Sequence, residues 1–304
     1  MNVLSLFDGM SCGRIALERL GIQVDNYYAS EIDKYAIKVS EANYPNIIQV
    51  GDVTKLDTST LPKIDLVMGG SPCQGFSFAG KQLAFDDPRS ALFFEFVRCV
   101  NDLKPKYFLL ENVRMKKEYL DIISEHMGVE PIMINSALVS AQNRVRYYWT
   151  NIPNIEQPED RNIMLKTILE EDAVEPMLSN IYGGFGEKKP REHTGKSVTI
   201  RTASGGGHIP SVYKKSHVIK AQYYKSSMAN FKANNGLRAT GIYTKDSIRK
   251  LTPLECMRLQ TVPDDYLMPV SNTRKYMLLG NGWTVDVICH ILKNMDLKEG
   301  QSSK

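Results

Sequence analysis

The 304-residue chain is poor in cysteine, and its few cysteines stand far apart. There are five, Cys12, Cys73, Cys99, Cys256 and Cys289. An odd number without close spacing excludes a disulfide framework and a clustered zinc site, and it suits a reducing compartment. No apolar run approaches the roughly 18 residues needed to cross a bilayer, so no membrane segment is expected. The opening stretch, MNVLSLFDGM, lacks a basic leader and reads directly as a strand, which argues against a signal peptide. A cytoplasmic protein is the expectation. The first loop carries only Gly9 and Gly13, so neither a GxGxxG fingerprint nor a Walker loop is present. His193, His208 and His217 have no metal-like spacing, and no metal site is expected. Internal repeats are absent as well.

Net charge is also small, at +4, but it is unevenly spread. Residues 181–250 hold fourteen Lys or Arg against three Asp or Glu, whereas the remainder holds 24 basic and 31 acidic residues. A basic module thus joins an acidic body, which favours a polyanionic partner or, alternatively, marks a solvated face.

What is present is organised around Met68–Ala79, MGGSPCQGFSFA. The apolar run 64–68 stops in two glycines, and Pro72 and Cys73 follow. Such a stop suits the carboxyl edge of an α/β sheet, where these folds bind ligands. Pro72 would fix the backbone before the thiol and Gly75 would allow a substrate close. A buried cysteine beside a turn is the plainer alternative.

Elsewhere, short apolar strands recur with acids at their ends. Asn2–Phe7 leads into the loop Asp8–Gly13 and a helix over 14–20, a strand–loop–helix cradle for a nucleotide-like ligand or a simple connection. Glu31 follows a strand over 24–29, Asp52 follows one over 47–50, and Glu111 follows one over 107–110. Carboxylates so placed can accept from ribose hydroxyls or a base amino group, or can cap the next turn. Arg144 and Arg146 are spaced to share one strand face and could hold phosphate, a pyrimidine carbonyl or a carboxylate. Thr252–Pro253–Leu254–Glu255 carries a capping box with proline at the first helical position, a helix start. Between residues 152 and 250 the texture is glycine-rich and basic, with Tyr213, Tyr223 and Tyr224, and suits phosphate contact with base or sugar packing.

The segments SLFDGMSCG, SEID, GDV, GGSPCQGFS, ENV, QNRVR, LTPLECMRLQ and LLGNGW occur in the order found in the cytosine-C5 DNA methyltransferases, which this chain resembles from Ser5 to Trp283. The arrangement is similar to the single-chain bacterial and phage enzymes. The first motif, the SPC spelling and LLGNGWTVDVI resemble the mammalian de novo branch.

The resemblance implies an α/β fold with a Rossmann-like S-adenosylmethionine-dependent sheet and a smaller, mostly irregular or β recognition domain. Residues 1–151 and 251–304 would form the catalytic and cofactor domain, and 152–250 the connector and target-recognition domain. It implies a sequence-specific DNA (cytosine-5)-methyltransferase acting on flipped cytosine in double-stranded DNA. The enzyme would work as a monomer, with a cognate restriction endonuclease acting separately. Cys73 would attack C6, Glu111 would protonate N3, Arg144 would fix the pyrimidine O2 and Arg146 would stabilise charge. S-adenosylmethionine, leaving as S-adenosylhomocysteine, would be held by Phe7, Asp8, Gly9, Met10, Ser11, Cys12, Gly13, Glu31, Ile32, Asp52, Val53, Pro72, Leu92, Asn281, Gly282 and Trp283. Residues 74–81 would close over the site. Met10–Ser11–Cys12 and Asn281–Gly282–Trp283 depart from the bacterial spelling, and Trp283 would take a packing place held by valine. The same chemistry would serve an RNA cytosine-5 methyltransferase, and a non-catalytic DNA-binding protein of this fold is the third reading.

Overall fold

A computed structural model describes residues 1–72, 91–171, 173–179, 191–200, 210–214 and 248–296. Cys73, the 74–81 loop, His208, His217, Tyr223, Tyr224 and most of the basic module lie outside the described residues.

Seven strands form one sheet: β1 (Asn2–Leu6), β2 (Asn26–Ser30), β3 (Ile48–Gln49), β4 (Leu66–Gly69), β5 (Tyr107–Val113), β6 (Ile132–Asn135) and β7 (Val145–Thr150). Their spatial order is β3-β2-β1-β4-β5-β7-β6. The first five in that order are parallel, and β7 runs antiparallel to both neighbours. From β1 the chain runs outward through β2 to β3, then crosses back to place β4 on the other side of β1. The carboxyl ends of β1 and β4 therefore border a topological switch point, where ligands bind in open α/β sheets.

The strands are apolar because both faces are covered. Val3, Leu66, Met68, Tyr107 and Leu109 point to one core; Leu4, Val67, Phe108 and Leu110 alternate into the other. The first core takes α1 (Cys12–Arg19), α2 (Lys34–Asn43) and the helix near the C-terminal end of the described chain. The second takes α3 (Ala91–Leu103) and α4 (Lys117–Met127). Phe93 and Phe96 of α3 and Trp149 of β7 are fully buried there. Each such side chain contributes about 1.5–3 kcal/mol of burial.

A second sheet of four antiparallel strands comprises β8 (Ala173–Ser179), β9 (Arg191–His193), β10 (Ser211–Lys214) and β11 (Ile248–Lys250), in the order β11-β10-β8-β9. The chain then returns through α5 (Pro253–Leu259), α6 (Asn272–Asn281) and α7 (Val285–Leu292). The expected capping box is formed: Glu255 N–H donates to Thr252 Oγ1 at 3.2 Å, and Thr252 N–H donates to Glu255 Oε2 at 2.7 Å. At the far end, Asp286 in the first turn of α7 pairs with Arg19 of α1 and with Arg161 of the connector. The last helix is thereby locked onto the first.

Candidate functional site

The loop after β1 is built from an alternation of backbone signs. Phe7, Gly9 and Ser11 all have φ near +60°, a left-handed conformation costly for Phe and Ser. Three sets of contacts hold it. Gly9 N–H donates to Glu31 Oε2 at 2.8 Å, while Glu31 Oε1 accepts from the N–H groups of Ile32 and Asp33. Tyr27 donates its hydroxyl to Asp8 Oδ1 at 2.7 Å, and the Ser11 hydroxyl sits between Asp8 and Ser40. Tyr266, from the returning chain, donates to the Met10 carbonyl at 2.7 Å. Burial raises the Asp8 carboxyl to about 6 against these hydrogen bonds. Burial also pushes the Cys12 thiol up to about 12, so this cysteine stays a neutral packing group at neutral pH.

Phe7, Val53 and Leu92 join one apolar cluster at the side of this loop. Pro72, shortly after β4, is half-buried. Two further predicted positions have the following surroundings. Asp52 accepts from Thr54 N–H at 3.0 Å as the cap of a short turn, and that bond holds its carboxyl below the usual range. Ile32 is 76% exposed. Asn281 is exposed at the end of α6, whereas Gly282 and Trp283 are half-buried.

Glu111 lies inside β5 rather than after it, because pairing with β7 extends the strand to Val113. Its register partner is Tyr148, and Arg146 stands opposite Val113. Residues two apart share a face, so Glu111 and Arg146 meet diagonally across the pair. Arg146 Nε lies 2.8 Å from Glu111 Oε1, but its N–H is not directed at that oxygen, and Nε has no hydrogen-bond partner among the described residues. The contact is an ion pair without a hydrogen bond. The other oxygen, Oε2, accepts from Trp283 Nε1 at 3.1 Å. Gly70 makes room for this group: a Cβ there would lie 2.9 Å from Glu111 Oε2 and 3.0 Å from the indole nitrogen. On the opposite face, Asn112 Nδ2 donates to Ser71 Oγ at 3.2 Å and so ties β5 to the backbone just ahead of Pro72.

Arg144 and Arg146 lie close enough for their charges to act on one another. Arg144 precedes β7 and is 3% exposed. Its guanidinium donates to the carbonyls of Ile200 at 3.2 Å, Gly280 at 3.1 Å and Gly282 at 3.0 Å. Burial, reinforced by the charge of Arg146, pulls its pKa down to about 9, which leaves it charged at neutral pH. Arg144 thus braces the returning segment. Gln260 Nε2 adds bonds to the Leu279 and Gly282 carbonyls. Thr284 Oγ1 bonds to Gln260 Oε1 at 2.9 Å and to Ser136.

Sequence reasoning missed Tyr27, Tyr266, Gln260 and Lys196. Lys196 belongs to the basic module, yet its ammonium donates to the carbonyls of Ala137, Ser140 and Ile163 at 2.7–3.2 Å. Nothing in its spacing distinguished it from a solvated lysine. His193 bonds Ser179 Oγ at 2.8 Å, an ordinary polar role, with burial lowering its pKa.

A glycine-loop cradle, a carboxylate at the end of β2 and an acid–arginine pair on β5 and β7 border one crevice. The profile of the C-5 cytosine-specific DNA methylases matches residues 1–296. The chain belongs to this family. Among its relatives, the Type II methyltransferase M1.ScrFI of Lactococcus lactis subsp. cremoris is 30% identical over 97% of this chain and 77% of its own length. The Type II methyltransferase M.NlaX of Neisseria lactamica is likewise 30% identical, over 97% and 96%. The fold is similar to that of a Spodoptera frugiperda DNMT2 mutant, with a TM-score of 0.69 at 21% identity and coverage of 96% of this chain and 98% of that one. As a member of the family the chain is a DNA (cytosine-5)-methyltransferase that uses S-adenosylmethionine. The residues fit that cofactor: the strained loop presents backbone to a polar ligand, Glu31 Oε2 has a lone pair left for a hydroxyl, and Phe7, Val53 and Leu92 offer an apolar side. No helix among the described residues is long and apolar enough to cross a membrane.

Proposed function

We propose that the enzyme methylates cytosine within a defined sequence of double-stranded DNA through a transient bond between Cys73 and C6, with Glu111 as the acid at N3. The observation that carries this reading is the placement of Glu111 between Arg146 and Trp283, beside the backbone that leads through Ser71 and Pro72 to Cys73.

C5 of cytosine is a weak nucleophile. Thiolate addition at C6 moves electron density onto C5 and onto the N3–O2 side, and an acid at N3 receives it. Glu111 supplies that proton. Arg146, whose Nε–H makes no hydrogen bond among the described residues, is the cation we assign to O2 in place of the buried Arg144. S-adenosylmethionine, when bound, supplies the electrophilic methyl group. The chain holds it with the 8–13 loop, Glu31 and the Phe7 cluster, and Trp283 borders the same space. Loss of the C5 proton to solvent and of the thiolate, with return of the N3 proton to Glu111, then restores the neutral aromatic base. A base inside a duplex cannot reach these groups, so the cytosine is flipped out.

The two sheets and the charge split support a catalytic body formed by residues 1–151 and 251–304 and a connector and recognition part over 152–250. A single chain contains every residue named, which supports a monomer. The Type II names of the relatives support a restriction endonuclease as a separate counterpart.

Transfer of a tritiated methyl group to duplex DNA and to tRNA tests the reading. Duplex DNA is expected to be labelled, Cys73→Ser to lose turnover while keeping cofactor binding, and Glu111→Gln to fall by about a hundredfold or more. Transfer to RNA alone, or near-normal turnover by Cys73→Ser, overturns it.

A further inference from the structure

Trp283 makes a contact that packing does not require. Its indole nitrogen points at Glu111 Oε2 from 3.1 Å, across 172 positions of sequence. The backbone on either side of the indole is anchored. The carbonyl of Gly282, just before it, accepts from Arg144 and Gln260, and the hydroxyl of Thr284, just after it, is bonded to Gln260 and Ser136. Its ring edge also lies close to the first turn of α1, where a Cβ on Gly13 would be 3.5 Å from Cζ3.

The two oxygens of Glu111 are therefore not equivalent. Indole N–H is a donor only, so Oε2 must accept. Oε1 receives no hydrogen bond from Arg146, although the guanidinium charge is 2.8 Å away. A protonated carboxyl has one hydroxyl oxygen and one carbonyl oxygen, and the carbonyl oxygen is the better acceptor. We propose that Trp283 is a positioning residue for Glu111: its indole N–H holds Oε2 as an accepting oxygen, so that the carboxyl is fixed in orientation and turns Oε1 toward the base. Once the proton has left, the new negative charge lies beside Arg146. The inference rests on the reading of Glu111 as the acid and adds which oxygen acts and what selects it.

The test replaces Trp283 in the full chain with 3-benzothienylalanine, which keeps the two-ring shape and puts sulfur where the N–H was. Trp283→Phe serves as a second variant. Single-turnover methyl transfer to duplex DNA is expected to slow by about tenfold to a hundredfold, the range for removal of a hydrogen bond to a charged or reacting group. The Kd for S-adenosylhomocysteine is expected to stay within about twofold, because the ring remains. In a Glu111→Gln background the same replacement is expected to change nothing further, since the oxygen pair it discriminates is gone.

Three outcomes overturn the proposal: an unchanged rate in the otherwise natural chain, an equal loss in the Glu111→Gln background, or a fall in cofactor affinity that matches the fall in rate. If Glu111→Gln is slow and the benzothienyl variant is not, the role of Trp283 alone fails. If Glu111→Gln transfers methyl at the natural rate, the acid assignment fails and this inference with it.

Discussion

The hydroxyl of Tyr266 donates to the carbonyl of Met10 at 2.7 Å, and both residues are buried. One residue comes from the loop after α5, the other from the loop after β1. The bond therefore closes the cofactor side of the crevice with a segment made at the other end of the chain. Tyr266→Phe leaves the Met10 carbonyl without its donor. The expected cost is about 1–3 kcal/mol of stability, with a several-fold weaker hold on S-adenosylhomocysteine. Urea unfolding and calorimetric titration measure the two effects, and no change in either would show that the bond does not brace the loop.

Lys196 separates two meanings of a basic residue. Its ammonium is engaged by three backbone carbonyls, so Lys196→Met is expected to lose about 3 kcal/mol in urea unfolding. The salt dependence of DNA binding by the folded variant is expected to stay as it was. Neutralising Lys188 and Lys189, in contrast, should lower the slope of log K against log salt by about 0.9 for each phosphate no longer neutralised. An equal change of slope in both variants would refute the distinction.

Asp8 gives the fold a pH dependence of definite sign. Burial raises its carboxyl from 3.8 to about 6. Between those values the folded chain keeps a proton that the unfolded chain has released, so stability falls as pH rises through this window and then levels off. Relative to Asp8→Asn, the natural chain is expected to give up roughly 2 kcal/mol between pH 4 and pH 7, allowing for partial exposure. Urea titrations of both proteins at unit pH steps check this; a constant difference would contradict it.

Much of the site was legible because its residues are neighbours in sequence. The loop 8–13, Glu31 and Glu111 each follow or end an apolar strand, and alternation alone places them at one sheet edge. The bracing role of Arg144 was not legible, for a physical reason. Strand β7 begins only at Val145, and the residue before it turns toward carbonyls of Ile200, Gly280 and Gly282, none of which has a sequence signature. The bond from Trp283 to Glu111 was hidden for a similar reason, although the resemblance placed Trp283 beside the cofactor. A donor–acceptor pair between Trp283 and Glu111 exists only once α7 has docked on α1. Asp52 shows the opposite ambiguity, since an acid at a strand end can also cap the next turn, and here Thr54 N–H takes it.

The order in which the crevice is assembled also matters during synthesis. Strands β1 to β7 are all made by Thr150, so a nascent chain can complete its main sheet with Glu111 and Arg146 already side by side. Trp283, Tyr266 and Asp286 emerge only after the whole second sheet has been translated. At about 5–20 residues per second, that interval is on the order of ten seconds. During it the sheet exists but its acid lacks the indole donor and its cofactor loop lacks the tyrosine.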